Sequence, residues 1–517
     1  YKHSVGGVFY IYPSVTPQSN MRKPVFVAIV LTMLFIAAFA GLGYGQTAIP
    51  RFEPSDCAIP IPKDEKVDCG YVVVHENRSK KNGKVIRLPI IIHKSDNINP
   101  ETDPVLRTLG GPGGSSLKIV NGRRSSPWLK ERDVIIFEQR GTKFAQPSLD
   151  CPEINETTAS NARQHLSKGP ARANDLKAAK TCFDRLTRSG IDLSSYNSAE
   201  SAADIEDLRN VLKLEKLNLY GVSYSARLML DVMRYYPKSI RSVVLESTLP
   251  PEVNYDEVGV DGIVRALNEM FAGCRNDAEC VKAYPDLEKE FYAVVKQLNA
   301  EPLTVSIKDP KSGSMVDILL NGDDFATWIV DYVFSNEPSA TVVAPYLIHQ
   351  ASSGNYAPQF KNYAGDKLGG SNYTWGMRYS VWCSEEMPFE KIKIIKDQSL
   401  KYAGLKGYEV MALPDICSVW KVKPAKPIAN QPVTSNIPTL ILGAQYDAYT
   451  DPQWGRNVGK RLTNSYFFEI PWAGHGPGFS VPCLRDMIAE FIDRPEVSPN
   501  AACVQTTRDQ FKFLTKK

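Results

Sequence analysis

The chain is organised around residues 217–226. Apolar Leu217, Leu219 and Val222 lead into Gly221-Val222-Ser223-Tyr224-Ser225, and residues 227–233 follow at once with the apolar period of a helix. A strand that turns this sharply into a helix holds a serine hydroxyl clear of the sheet, the arrangement called a nucleophile elbow. Gly221 supplies a residue without a Cβ beside the tight turn. The position two after the serine is usually glycine in such turns, and here it is Ser225. Serine is the next smallest choice, so the strand–helix approach is expected to survive with some added strain. Short matches of this kind also surround buried structural serines, so the weight falls on what the rest of the chain supplies.

With 517 residues, 43% hydrophobic and 23% charged, the chain has ample apolar material for one large core or two linked ones. The net charge of +4 is small, and the basic residues are scattered, which excludes a nucleic-acid surface. No His-Glu-x-x-His or clustered ligand motif is present, so neither a metal nor another cofactor is expected. Residues 1–20 lie upstream of a plausible initiator, Met21, and are set aside as a gene-model extension. Met21-Arg22-Lys23-Pro24, the apolar run 25–43 and Ala38-Phe39-Ala40 give residues 21–46 the pattern of a secretory signal. The run approaches the length of a membrane span, so an uncleaved anchor is the alternative, and the membrane is a partner only in that case.

Ten cysteines, an even number without a CxxC pair, fit an oxidising compartment, and hence a secreted or periplasmic protein. Short-range neighbours suggest the pairs Cys57–Cys69, Cys151–Cys182, Cys274–Cys280, Cys383–Cys417 and Cys483–Cys503.

Residues 71–75 and 85–92 read as a hairpin, 104–109 and 133–137 as buried strands, 201–212 as a helix and 240–245 as a further strand. Strands alternating with helices predict a mostly parallel α/β sheet flanked by helices. From residue 251 the pattern turns helix-rich, with amphipathic stretches at 262–271, 287–298 and 322–333, and strand patterning resumes at 439–443 and 466–470. The simplest organisation is an α/β core in two parts, residues 47–250 and 433–517, interrupted by a helical cap over 251–432.

Acyl transfer by serine needs a base, a group that orients the base, and donors for the oxyanion. Of the six histidines, His475 follows a late strand in the glycine-rich loop Trp472-Ala473-Gly474-His475-Gly476, suited to bringing an imidazole over the elbow. His349 lies mid-cap on a helical stretch; His75, His93 and His165 are most simply structural. Asp447 ends the strand 439–443 and is the favoured orienting acid; Asp451 and Glu246 are the competitors. The backbone amide of Tyr224 is one expected oxyanion donor, and Gly111, in the loop Gly110-Gly111-Pro112-Gly113-Gly114, is the other. That loop lacks the Lys-Ser/Thr of a phosphate cradle.

These elements, together with Glu138-Gln139-Arg140-Gly141, occur in the order seen in the secreted tripeptidyl aminopeptidase and proline iminopeptidase family, which the chain resembles over residues 57–503. The resemblance implies an α/β-hydrolase fold with a helical cap and an exported serine aminopeptidase. Such an enzyme releases short peptides, tripeptides above all, or single residues through a Ser223–Asp447–His475 triad and an acyl-enzyme. It also implies that a cap carboxylate binds the substrate's amino terminus, and Cys383-Ser384-Glu385 matches the family's Cys-x-acid element; Glu385 is the candidate, with Glu386 beside it. Trp375 and Trp382 either wall a side-chain pocket or pack in a core. Ser225 and Glu138 depart from the family's glycine and aspartate. A carboxylesterase or amidase with the same triad is the alternative reading.

Overall fold

The computed structural model describes residues 48–80, 83–119, 127–333, 338–369, 373–405, 413–479 and 481–515. The signal or anchor assigned to residues 21–46, and the extension before it, lie outside these. Among the described residues no helix is long and apolar enough to cross a membrane.

The strands are β1 (Arg51–Pro54), β2 (Val67–His75), β3 (Val85–His93), β4 (Glu101–Thr108), β5 (Arg132–Phe137), β6 (Leu217–Val222), β7 (Ile240–Glu246), β8 (Leu303–Lys308), β9 (Met315–Leu320), β10 (Thr439–Ala444) and β11 (Ser465–Ile470). Nine of them form one sheet in the order β1-β2-β3-β5-β4-β6-β7-β10-β11. β1, β2 and β3 are antiparallel, β3 joins β5 antiparallel, and every pairing from β5 to β11 is parallel. β6 and β10 are buried at every residue, as inner strands of a parallel sheet covered on both faces.

Helices cover both faces. On one, Leu106, Ile135, Leu219 and Ile441 pack with Ile205 and Leu208 of α1 (Ser198–Val211) and with Leu228, Met229 and Val232 of α2 (Tyr224–Tyr235). α1 starts at Asn197, whose side chain accepts the Glu200 amide at 2.9 Å. On the other face, Val105, Val134, Val244 and Leu442 meet Leu484, Ile488 and Phe491 of the helix Pro482–Asp493. Each such side chain, fully buried, contributes about 1.5–3 kcal/mol before conformational entropy is subtracted.

β5 and β6 lie on opposite sides of β4, so the chain reverses direction across the sheet there. Such a reversal places a crevice at the carboxyl ends of the strands. The elbow, the glycine loop, Glu246, Asp447 and His475 lie at the carboxyl ends of β4, β6, β7, β10 and β11.

Between β7 and β10 the chain leaves the sheet. α3 (Tyr255–Asn276), α4 (Leu287–Ala300), α5 (Gly322–Val333), α6 (Pro338–Ser352), α7 (Pro358–Gly369) and α8 (Trp375–Glu385) belong to this excursion. Leu267, Phe271, Phe291, Phe325, Ile329 and Phe360 are among its buried apolar residues. It is not all helical: β8 and β9 pair antiparallel from Leu303↔Leu320 to Lys308↔Met315. Residues of β8 alternate between half-buried and exposed, a period of two that an eye set for helices passes over. The polar helices Pro152–Arg163 and Lys168–Arg188 also escaped the sequence reading, because few of their residues are buried and no sustained apolar stripe marks them. All five disulfides join the pairs suggested by proximity in sequence.

Candidate active site

Ser223 closes β6 with φ +61° and ψ −128°, a conformation that costs a non-glycine residue about 1–3 kcal/mol. The surroundings hold it there: its N–H donates to Glu246 O at 3.0 Å, and its carbonyl accepts from Ala226 N at 2.9 Å. Ser225, anticipated as a source of strain, is a bridge. Its Oγ accepts the Val222 amide at 2.8 Å and donates to Thr108 O at 2.9 Å, all within a fully buried site. The hydroxyl that replaces the usual glycine therefore ties the elbow to the end of β4.

The glycine loop starts at that same end. A Cβ on Gly110 would fall 2.6 Å from Val222 O and 3.0 Å from Tyr224 N, so only glycine lets the loop lie against the elbow. This contact brings Gly111 and Tyr224, the two anticipated oxyanion donors, to neighbouring positions. Glu138-Gln139-Arg140 proves to be a clamp around the loop. The buried Glu138 carboxylate accepts from Ser115 Oγ and Leu117 N, each at 3.1 Å, and from Phe144 N at 3.2 Å. Burial raises its pKa against these bonds. Gln139 donates to Thr108 Oγ1 and Leu109 O. Arg140 makes a two-point pair with Asp204 at 2.7 and 2.6 Å, linking the clamp to α1.

Asp447 and His475 meet as anticipated. His475 Nδ1 lies 3.0 Å from both carboxylate oxygens of Asp447. The carboxylate also accepts from Tyr449 N at 3.0 Å, Thr450 N at 2.9 Å and Thr450 Oγ1 at 2.6 Å. Burial pushes Asp447 upward, but the His475 charge and these hydrogen bonds outweigh it and hold the acid below its ordinary value. Burial pushes His475 downward, and the Asp447 charge and hydrogen bond overcome it, so the imidazole is more basic than usual. With Nδ1 committed to Asp447, Nε2 is the nitrogen left to act as base.

The competing acids have other partners. Asp451 accepts the Gln453 amide at the start of a helix and lies 3.4 Å from Arg265. Glu246 is buried at the end of β7, where it accepts Tyr220 OH at 2.5 Å and the Gly478 amide. Next to it, Ser247 Oγ accepts Gly476 N at 2.8 Å. Glu246 and Ser247 thus brace the histidine loop from below. Thr450 and Ser247 escaped the sequence reading because a short hydroxyl residue in a loop carries no distinguishing signal.

Ser223, His475, Gly110 and Gly111 open into one cavity of about 570 Å³. Trp382, Tyr255, Arg378, Tyr373, Asp331 and Tyr449 also line it. Glu385 and Glu386 do not. The Glu385 carboxylate accepts Ser198 N at 2.5 Å and Ser198 Oγ at 2.6 Å, and Glu386 pairs with Arg227; both glutamates are 2% exposed. Burial pushes Glu386 up to about 7 in spite of Arg227. The expected contact of this pair with a substrate's amino terminus does not fit that placement: each carboxylate is turned into the protein and engaged there by a partner of its own. Of the two tryptophans, Trp382 faces the cavity, and Trp375 packs in the neighbouring core with its Nε1 3.3 Å from Asn155 Oδ1. His93, His165 and His349 are engaged with Glu65, Asp317 O and Glu290 respectively, away from the site.

The sheet, the elbow and the aspartate–histidine pair define an α/β-hydrolase of the serine-hydrolase class. Comparison with known proteins makes this narrower. A family described as TAP-like protein matches residues 405–503. The chain is 24% identical over 495 residues to a tripeptidyl aminopeptidase of Streptomyces lividans, covering 88% of this chain and 86% of that protein. It is 21% identical to the serine protease Hip1 of Mycobacterium tuberculosis, covering 77% and 79% of the two chains. A solved proline iminopeptidase of Mycobacterium smegmatis is 12% identical, covers 80% of this chain and 96% of its own, and superposes with a TM-score of 0.38, which adds nothing to the sheet order seen directly. The chain is thus similar to proteins named tripeptidyl aminopeptidase and serine protease, and is a serine hydrolase of the peptidase kind.

Proposed function

We propose that this is an exported serine aminopeptidase that releases short peptides, tripeptides above all, from free amino termini. The observation that carries the reading is that His475, paired with the buried Asp447, shares one cavity with Ser223 on a strained elbow and with the Gly110–Gly111 loop. Ser223 Oγ attacks the substrate carbonyl as His475 takes its proton and Asp447 stabilises the imidazolium. The amides of Gly111 and Tyr224 receive the oxyanion, with each such donor worth on the order of 10²–10³ in rate. His475 then protonates the leaving amine, and water releases the acyl-enzyme. The excursion between β7 and β10 acts as a cap over this crevice.

An aminopeptidase must also meet a free ammonium. Among the described residues lining the cavity, Asp331 is the one carboxylate; it is exposed and accepts Tyr449 OH. Asp331 takes the role that the sequence reading gave to Glu385 and Glu386. Export is supported by five disulfides, which suit an oxidising compartment.

The test is hydrolysis of peptide–coumarins of one to four residues, each with a free and an acetylated amino end, by wild type and Ser223→Ala. Ser223-dependent turnover of free-amine peptides, peaking at three residues, is expected. Equal turnover of acetylated peptides would overturn the aminopeptidase reading in favour of an esterase or amidase.

A further inference from the structure

The Gly110–Gly114 loop has little with which to hold itself. Four of its five residues are glycine, Pro112 has no N–H to give, and its internal backbone bond runs from Gly114 N to Gly110 O at 3.1 Å. An oxyanion donor must nevertheless be fixed before the reaction, because reorganisation during it forfeits the gain.

The missing restraint comes from α8, in the excursion. Arg378, 8% exposed, donates from Nη1 to Gly111 O at 2.5 Å. Its guanidinium is itself held over the rings of Tyr373 and Trp382, 4.8 and 5.3 Å from their centroids. Trp382 is fixed in turn by its Nε1, 3.2 Å from Asp256 Oδ2. A second stitch runs alongside, Thr374 N to Gly113 O at 2.9 Å. Gly113 has φ +90°, and a Cβ there would fall 2.7 Å from Thr374 O. The start of α8 is therefore in backbone contact with the loop, and Arg378 lines the same cavity as Gly111 and Ser223.

We propose that Arg378 is a positioning residue: by gripping the Gly111 carbonyl from a stacked, buried seat, it fixes the Gly111–Pro112 peptide plane, restrains rotation about the Gly111 Cα, and so steadies the adjoining Gly110–Gly111 plane whose N–H meets the developing oxyanion. The consequence is that the oxyanion hole is complete only while α8 is docked on the loop, which couples the excursion to the chemistry as well as to substrate selection. The forked, stacking guanidinium suits this task better than an ammonium, a point donor without a plane. This inference rests on the serine-peptidase reading above.

The experiment compares Arg378→Met, Arg378→Lys and Gly113→Ala with wild type, with Ser223→Ala run alongside. Two ligands are measured besides turnover: a peptide aldehyde, which forms a tetrahedral adduct on the serine and uses the oxyanion hole, and an uncleaved peptide bound to the Ser223→Ala forms, which does not. For Arg378→Met we expect kcat to fall about 10- to 100-fold with KM changed less than about threefold. Aldehyde affinity should fall in parallel, and affinity for the uncleaved peptide should hold. Arg378→Lys should restore part of kcat. Gly113→Ala disturbs the same seam while keeping the guanidinium, and is expected to show the same kcat-selective loss; it decides the matter if the Arg378→Met protein does not fold. An unchanged kcat, a rise in KM at constant kcat, or equal loss of aldehyde and peptide binding would each overturn the proposal. Full activity of Ser223→Ala would instead overturn the underlying serine-peptidase reading, so the two failures are distinguishable.

Discussion

Replacing Ser225 by glycine, the residue usual at this position of the turn, separates two accounts of the elbow. If serine there only crowds the strand–helix approach, Ser225→Gly relieves strain and stabilises the protein. The geometry says the opposite. The hydroxyl accepts the Val222 amide at 2.8 Å and donates to Thr108 O at 2.9 Å, with no exposure to water. Deleting it leaves one buried N–H and one buried carbonyl without this partner, each worth about 1–3 kcal/mol of desolvation. A loss of about 2–4 kcal/mol of unfolding free energy is expected, read from urea midpoints of the disulfide-intact protein against wild type. Because Thr108 leads directly into the Gly110 loop, kcat on a peptide–coumarin should also fall about tenfold, equivalent to about 1.4 kcal/mol at the barrier. A variant as stable as wild type, or more so, with undiminished kcat would refute the bridge and restore the strain account.

Other perturbations follow from the same structure. Asp447→Asn is expected to lower the maximal kcat/KM on the order of 10³–10⁴-fold, and to move the acid limb of the pH–rate profile downward. The shift follows because the charge that raises the His475 pKa is gone; an unmoved limb would contradict it. In wild type, the raised His475 pKa contributes stability that is full below about pH 6.5 and is lost as pH rises through the folded value. The depressed Asp447 pKa contributes stability above about pH 3.9 that is lost as pH falls, so the Asp447→Asn variant should flatten both edges of a stability–pH curve. Asp256 and Glu390 are both raised, chiefly by burial, and the Asp256 amide donates to Glu390 at 2.8 Å. Their contribution is fully present below the unfolded carboxyl values near pH 4 and is lost as pH rises through the folded ones. Glu390→Gln should therefore gain stability relative to wild type at pH 9 but not at pH 5, and parallel curves would refute this. Asp331→Asn should raise KM about tenfold for free-amine peptides and leave acetylated ones unaffected; an equal effect on both would remove Asp331 from amine recognition.

The parts of this molecule that a linear reading reaches are those whose residues announce themselves locally. Ser223 stands in a strand–glycine–serine–helix pattern, Asp447 follows the end of a largely apolar strand, and His475 sits among glycines after another. Each of the three is placed by the end of one strand, and a parallel sheet gathers strand ends by construction. The rest depends on contacts between segments far apart in the chain. Ser225 looked like a compromise because its partner, Thr108 O, is 117 residues away. Glu385 looked like a substrate ligand because its partner, Ser198, is 187 residues away. Arg378 lay within the stretch singled out for its tryptophans, yet nothing in that stretch points to Gly111. The two polar helices after β5 were missed because their apolar periods are weak, and the β8–β9 hairpin because the alternation of Leu303, Val305 and Ile307 with polar residues is only six residues long and lies among helical patterns.

The central claim is that Ser223 is an activated nucleophile served by His475 and Asp447. The most direct measurement is intact-mass and peptide-level mapping of the adduct formed with a fluorophosphonate, at matched concentration, for wild type, Ser223→Ala, His475→Ala and Asp447→Asn. One adduct on Ser223 in wild type is expected, absent in Ser223→Ala and formed orders of magnitude more slowly in the other two. An adduct on another residue, or labelling of Ser223 at an undiminished rate without His475, would contradict the account.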